Sequence, residues 1–169
     1  MIIDTHAHML PQSILDTLGS KVKIFPSVSL VRSDEKYQLS FNSAKPTRSI
    51  MPKLRLFEPR QQFLNSTGID LQLSGGWLDS FGYEIEPEEG ADWSRFLNEG
   101  MLNDCKNRGS VVPLATVPLQ SGKLAAKVDT PLTLRKSDNK LDDSIERAQW
   151  IQWKLLATFR KTLDNLLDV

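Results

Sequence analysis

Cysteine is almost missing from this chain: one thiol, Cys105, stands among 169 residues. No intrachain disulfide can form, which suits a reducing compartment. Histidine is nearly as scarce, with two copies, and neither charge sign dominates, since Lys+Arg and Asp+Glu each total 21. A formal net charge of zero leaves no electrostatic footprint for a nucleic acid or an anionic membrane surface. No run of about eighteen apolar residues occurs, and the amino terminus has no basic stretch leading into a long apolar one. These absences predict a soluble, cytoplasmic protein with no nucleic-acid and no membrane partner. Repeats and low-complexity tracts are lacking as well. What remains is ordinary globular composition, long enough for one domain with a sizeable core.

Both histidines fall in the first eleven residues, where Ile2-Ile3 leads into Asp4-Thr5-His6-Ala7-His8-Met9-Leu10-Pro11. The apolar pair reads as the start of a buried strand. Side chains alternate along a strand, so this reading puts Asp4, His6 and His8 on one face. Two imidazoles two residues apart on one face converge on a single ion, and neutral histidine is the usual ligand of a borderline cation such as zinc. His6 and His8 are therefore the candidate metal ligands. A lone histidine would not support this; the spacing at a strand end does. Cys105, with no histidine near it in sequence, reads as an ordinary half-buried thiol and not as a nucleophile.

Three apolar runs read as buried parallel strands: Ile2–Thr5, Ile69–Ser74 and Val111–Val117. A helix from Pro59 to Thr67 precedes the second, with Pro59 in the first turn and Gly68 just past its end. A longer helix, Glu88 to Arg108, precedes the third; Trp93, Phe96, Leu97, Met101 and Leu102 recur at helical spacing, and Gly109 is expected to close it. Such βα units build parallel sheets with right-handed crossovers. Between the first strand and the first of these helices lies a long insertion, roughly Leu18 to Arg55. In it Val28–Val31 and Tyr37–Phe41 flank a polar turn and predict a β-hairpin. After the second strand comes Gly75-Gly76-Trp77-Leu78-Asp79-Ser80-Phe81-Gly82-Tyr83. Loops of this kind after strand ends carry ligand pockets in parallel α/β folds, so Trp77 and Phe81 are the candidate substrate-binding residues. Anchoring aromatics in a surface loop would look the same.

These residues resemble the amidohydrolase superfamily, on the branch typified by aminocarboxymuconate-semialdehyde decarboxylase. Ile3 through Pro11 is similar to that family's first strand and its two metal histidines. Arg60 through Ser74 resembles the following helix and second strand. Trp93 through Glu99, with Val112 through Gln120, resembles the next helix and third strand. The resemblance implies an α/β fold built as a (β/α)₈ TIM barrel, a divalent metal, most often zinc, at the carboxyl ends of its strands, and a small carboxylated substrate. It implies metal-dependent loss of CO₂ or hydrolysis, with an acid/base residue moving the proton.

The resemblance covers about residues 1–127, roughly the first three βα units, and the chain reads as a truncated or rearranged member. The family's further ligands, two histidines and an aspartate, and its proton-transfer residue belong to the second half of such a barrel. Residues 128–143 read as a polar linker. Residues 144–169 carry one long amphipathic helix with Ile145, Ala148, Ile151, Leu155, Phe159, Leu163 and Leu166 on one stripe. That helix either packs on the open flank of the half barrel or binds a partner, including a second copy; the apolar surface left by three strands favours packing. An unpaired edge at Val111–Val117 is a second route to a homo-oligomer. The alternative to an enzyme is a catalytically inactive remnant acting as an interaction or oligomerisation protein.

Overall fold

The computed structural model describes residues 1–20, 23–34, 36–125 and 127–128. Its central sheet has three parallel strands in the order β1-β4-β5: β1 is Ile3–Met9, β4 is Leu71–Gly76 and β5 is Val111–Pro113. Between β1 and β4 come α1 (Gln12–Leu18), the strands β2 (Val28–Ser33) and β3 (Lys36–Phe41), α2 (Pro52–Arg55) and α3 (Phe57–Thr67). α4 (Pro87–Cys105) lies between β4 and β5, and α5 (Gly122–Ala125) follows β5. The parallel sheet and its helices agree with the α/β class expected from the pattern. The expected polar linker beyond Val128 and the expected helix at 144–169 lie outside the described residues.

The middle run becomes a strand buried on both faces, as central parallel strands are, whereas β1 and β5 at the edges are only partly buried. Leu71, Gln72, Leu73 and Ser74 are all buried. Ile2 departs from the expectation: it is 56% exposed and precedes the strand. The third strand is shorter than the apolar run Val111–Val117. Pro113 has no N–H to extend the ladder, and beyond Leu114, which donates to Ser74 O at 2.8 Å, a side chain takes over. Asn98 of α4 donates to Thr116 O and accepts from Thr116 N, both at 2.8 Å.

The helix before β4 stops as its sequence predicts. Gly68 sits in the left-handed region at φ 67, and Ile69 N–H returns to Leu64 O at 3.1 Å. That conformation disfavours a side chain. Gly109 does not play this part after α4. The helix ends at Cys105 with Lys106 still in the right-handed region, and the turn is closed by Arg108 N–H to Cys105 O at 2.9 Å. α1, ahead of the insertion, and α2, at its end, are elements the sequence pattern does not announce; at seven and four residues they are too short to show a period.

The expected hairpin forms as an antiparallel pair from Val28↔Phe41 to Ser33↔Lys36. Its inner side packs on α4 through aromatics. Trp93 is fully buried, 5.2 Å from Phe25, 5.6 Å from Phe96 and 6.1 Å from Phe41, centroid to centroid. Such pairs contribute about 1 kcal/mol each beyond the area they bury. The indole N–H of Trp93 donates to Ser80 O at 2.7 Å, so the loop after β4 is fixed to the same helix. The main core holds Met9, Leu10, Ile14, Leu15, Leu64, Leu97 and Met101 with these aromatics. It places the carboxyl ends of β1 and β4 side by side.

Candidate metal centre

The geometry begins with a register slip. β1 pairs with β4 as Asp4↔Gln72 and then as Ala7↔Ser74, so three steps on β1 oppose two on β4. The extra residue breaks the alternation within β1. Asp4 therefore lies on the side of Ala7 and Met9, the side packed against the helices, and not on the side of the histidines. This corrects the expectation of one face for all three. Asp4 accepts from Gln72 Nε2 at 2.7 Å and from the His6 backbone N–H at 3.1 Å, so its carboxylate is a structural acceptor below the imidazoles.

His6, within the slip, is exposed, and His8, beyond it, is half-buried. Their rings are 5.0 Å apart, edge to face at 86°. With metal–nitrogen bonds of about 2.1 Å in a tetrahedral arrangement, two imidazoles on one ion sit roughly 5 Å apart centre to centre. The observed ring separation is of that order. His8 also has its second nitrogen occupied: Nδ1 lies 3.0 Å from Gly76 O. A carbonyl only accepts, so Nδ1 carries the proton and Nε2 is left with its lone pair for a metal. Gly75 lies alongside, where an added Cβ would sit 3.9 Å from His8 Nδ1. Among the described residues no third His, Cys, Asp or Glu joins the two histidines in a metal-binding group.

Trp77 and Phe81 follow directly on Gly76. Trp77 is buried and tied to β1 through its N–H to Met9 O at 3.0 Å. Phe81 is half-buried, lies over Gly76 and is 5.5 Å from Tyr83. An alanine Cβ at Gly76 would stand 2.7 Å from the Phe81 ring.

Arg48 escaped the sequence reading. Its guanidinium grips Asp79 with two hydrogen bonds of 2.8 Å and stands 6.0 Å from the Trp77 ring centre. That contact holds Asp79 below its usual carboxylate range, against an upward push from burial. The side chain of Arg48 is 76% exposed, so it is the cation beside the aromatic loop. Its partner lies 31 residues away in an aperiodic loop, and no local pattern announces it.

Arg60 was also missed as a functional candidate. It is buried on α3 and donates through Nη1 to Gln72 Oε1 and through Nη2 to His8 O at 2.6 Å. Burial pulls its pKa down, opposed by the charges of Cys105, Asp4 and Asp104. The signal was present in the sequence. Arg60 stands four residues before Leu64, on the stripe that α3 buries. Cys105 is buried, its thiol pushed up to about 11 by desolvation and lying 3.9 Å from Met9 Sδ. A thiol in that state is no nucleophile at neutral pH.

No family model matches the chain. It is 28% identical over 130 residues to 2-amino-3-carboxymuconate-6-semialdehyde decarboxylase of Caenorhabditis elegans, an alignment covering 75% of this chain and 31% of that protein. Its fold matches the crystal structure of Metarhizium anisopliae IDCase in apo form with a TM-score of 0.54 at 17% identity. That match covers 76% of this chain and 38% of the other. The chain thus spans about a third of the length of the curated relative. Over three-quarters of its own length, the chain is similar in sequence to that decarboxylase, and the family resemblance read from the sequence points the same way.

Proposed function

We propose that residues 1–127 are the amino-terminal part of a (β/α)₈ barrel whose complete form is a metal-dependent carboxy-lyase or hydrolase acting on a small carboxylated substrate. The observation that carries this reading is the His6/His8 pair: two rings at ligand spacing on the end of β1, one of them with its tautomer set by Gly76 O. His6 and His8 would hold a divalent ion, zinc by the donor set, with imidazole nitrogen from both residues. Bound there, the ion would act as a Lewis acid toward a water or a substrate carboxylate.

Two histidines are fewer than the three protein ligands usual at a catalytic zinc. The remaining ligands of an active centre, and its proton-transfer group, lie beyond the described residues in this reading. The chain's own part is to position and to enclose. His8 Nδ1–H on Gly76 O orients one ring, Trp77 and Phe81 shield the ground behind it, and the Arg48–Asp79 ion pair ties the loop that carries them. The supporting comparison is the curated decarboxylase at 28% identity.

Elemental analysis of size-exclusion-purified protein, expressed with added zinc, tests the proposal. About one ion per chain, lost when His6 and His8 are both replaced by alanine, is the expected result. Stoichiometric metal retained by that double variant would sink the site.

A second reading, an interaction protein without catalysis, has one observation behind it. Within the described residues β1 and β5 are both edge strands, and Met1 and Ile2, just before β1, are 69% and 56% exposed. Unpaired edges with apolar flanks recruit other chains. A metal-free, cooperatively folding homo-oligomer in light scattering would favour this reading over the first.

A further inference from the structure

From the hydrogen bonds beneath the two histidines, we infer that Arg60 and Gln72 are positioning residues for the His6/His8 pair, acting on its backbone. The inference rests on the metal-binding reading above.

The connections run from α3 to β1, with one longer side branch from Arg60 Nη2 to Lys53 O at 3.4 Å. Arg60 Nη2 donates to the carbonyl of His8 at 2.6 Å, and Arg60 Nη1 donates to Gln72 Oε1. The amide of Gln72 then donates through Nε2 to Asp4 Oδ2 at 2.7 Å. The other oxygen of Asp4 accepts from the backbone N–H of His6 at 3.1 Å. A buried cation on α3 thus reaches the C=O of one histidine directly and the N–H of the other through a glutamine and a carboxylate.

Each member allows one polarity only. Guanidinium donates and has no acceptor, and carboxylate accepts, so Gln72 must turn its oxygen to Arg60 and its nitrogen to Asp4. The line bridges the register slip, where β1 carries one residue more than β4 and the regular ladder breaks. Loss of ladder bonds there would leave the two imidazoles on a loose segment. The side chains hold the segment instead, and the charges at the two ends, Arg60 and Asp4, offset each other. A network that only stabilised the fold could end anywhere on β1. This one ends on the main-chain groups of His6 and His8.

The test uses the full chain and cobalt(II), whose visible absorption reports both affinity and coordination geometry. R60K keeps the charge but not the fork that reaches two acceptors, and Q72M removes the relay at nearly the same volume. Both should weaken cobalt binding by about tenfold or more and alter the shape of the visible bands, while the metal-free variants still melt cooperatively. Unchanged affinity and bands in folded R60K and Q72M, with the H6A/H8A variant binding no cobalt, would overturn this inference alone. Cobalt binding that survives H6A/H8A would overturn the metal reading, and this inference with it. If neither positioning variant folds, the unaltered chain decides. Zinc loading should slow hydrogen exchange of the Gln72 side-chain amide, and no slowing would overturn the assignment.

Discussion

His8 and Gly76, 68 residues apart in sequence, are joined by a hydrogen bond of 3.0 Å between the imidazole Nδ1 and the Gly76 carbonyl. This bond makes the end of β1 and the end of β4 one unit, and it assigns the two ring nitrogens different jobs. On zinc loading, the Nε2 resonance of His8 in a long-range proton–nitrogen spectrum should shift, while Nδ1 keeps the signature of a protonated nitrogen. Movement of Nδ1 in place of Nε2 would contradict the assignment.

Asp79 and Arg48 link the loop after β4 to the segment that follows the hairpin. Hydrogen bonding to Arg48 lowers the Asp79 pKa in the folded protein, so the unfolded chain takes up the proton first as pH falls. The pair's contribution to stability is therefore present above the ordinary aspartate range and is lost as pH drops through the lowered value. Urea midpoints of the unaltered chain and of D79N should differ by a constant small amount above the ordinary aspartate range and converge as pH falls through the lowered value. Because Arg48 is largely exposed, the gap should also shrink in high salt. A gap that widens on acidification would refute the pairing.

Gly76 has no room for a methyl group, since a Cβ there would meet Phe81 Cε1 at 2.7 Å. G76A should cost about 1–2 kcal/mol, because the half-buried ring can yield part of the way. Near-ultraviolet circular dichroism should show the displaced aromatic. An unchanged spectrum with unchanged stability would mean that Phe81 does not rest on Gly76.

Asn98 replaces a missing strand partner for Thr116 with two hydrogen bonds. N98L leaves a buried N–H and a buried C=O unpaired and should destabilise by about 3 kcal/mol in chemical unfolding. Loss below about 0.5 kcal/mol for N98L would show that water satisfies both groups.

The sequence carried the strand cores and the two long helices because burial on both faces leaves continuous apolar runs and α4 repeats its apolar residues at helical spacing. Gly68 was legible for the same kind of reason: one conformation there suits one residue type. His6 and His8 stood out by spacing alone. Asp4 was misplaced because alternation was assumed through a stretch that carries an extra residue, and a register slip leaves no mark in a single strand's pattern. Ile2 reads as buried on composition, yet its carbonyl alone joins β4 while its side chain stays exposed. Arg48 and Asn98 act over long sequence separations on loop backbone or loop side chains, where periodicity says nothing. Arg60 is the instructive miss, since a charge on a buried stripe must have a partner.

The single residue by which β1 exceeds β4 works as a phase change along the strand. Before it, Asp4 belongs to the packed side; after it, His8 belongs to the open side and Met9 is returned to the core. The same residues on an unbroken ladder running on from Asp4 would keep their apolar pattern and their histidine spacing. They would nonetheless turn Met9 outward and drive His8 inward, exchanging a ligand for a lost core contact at one stroke.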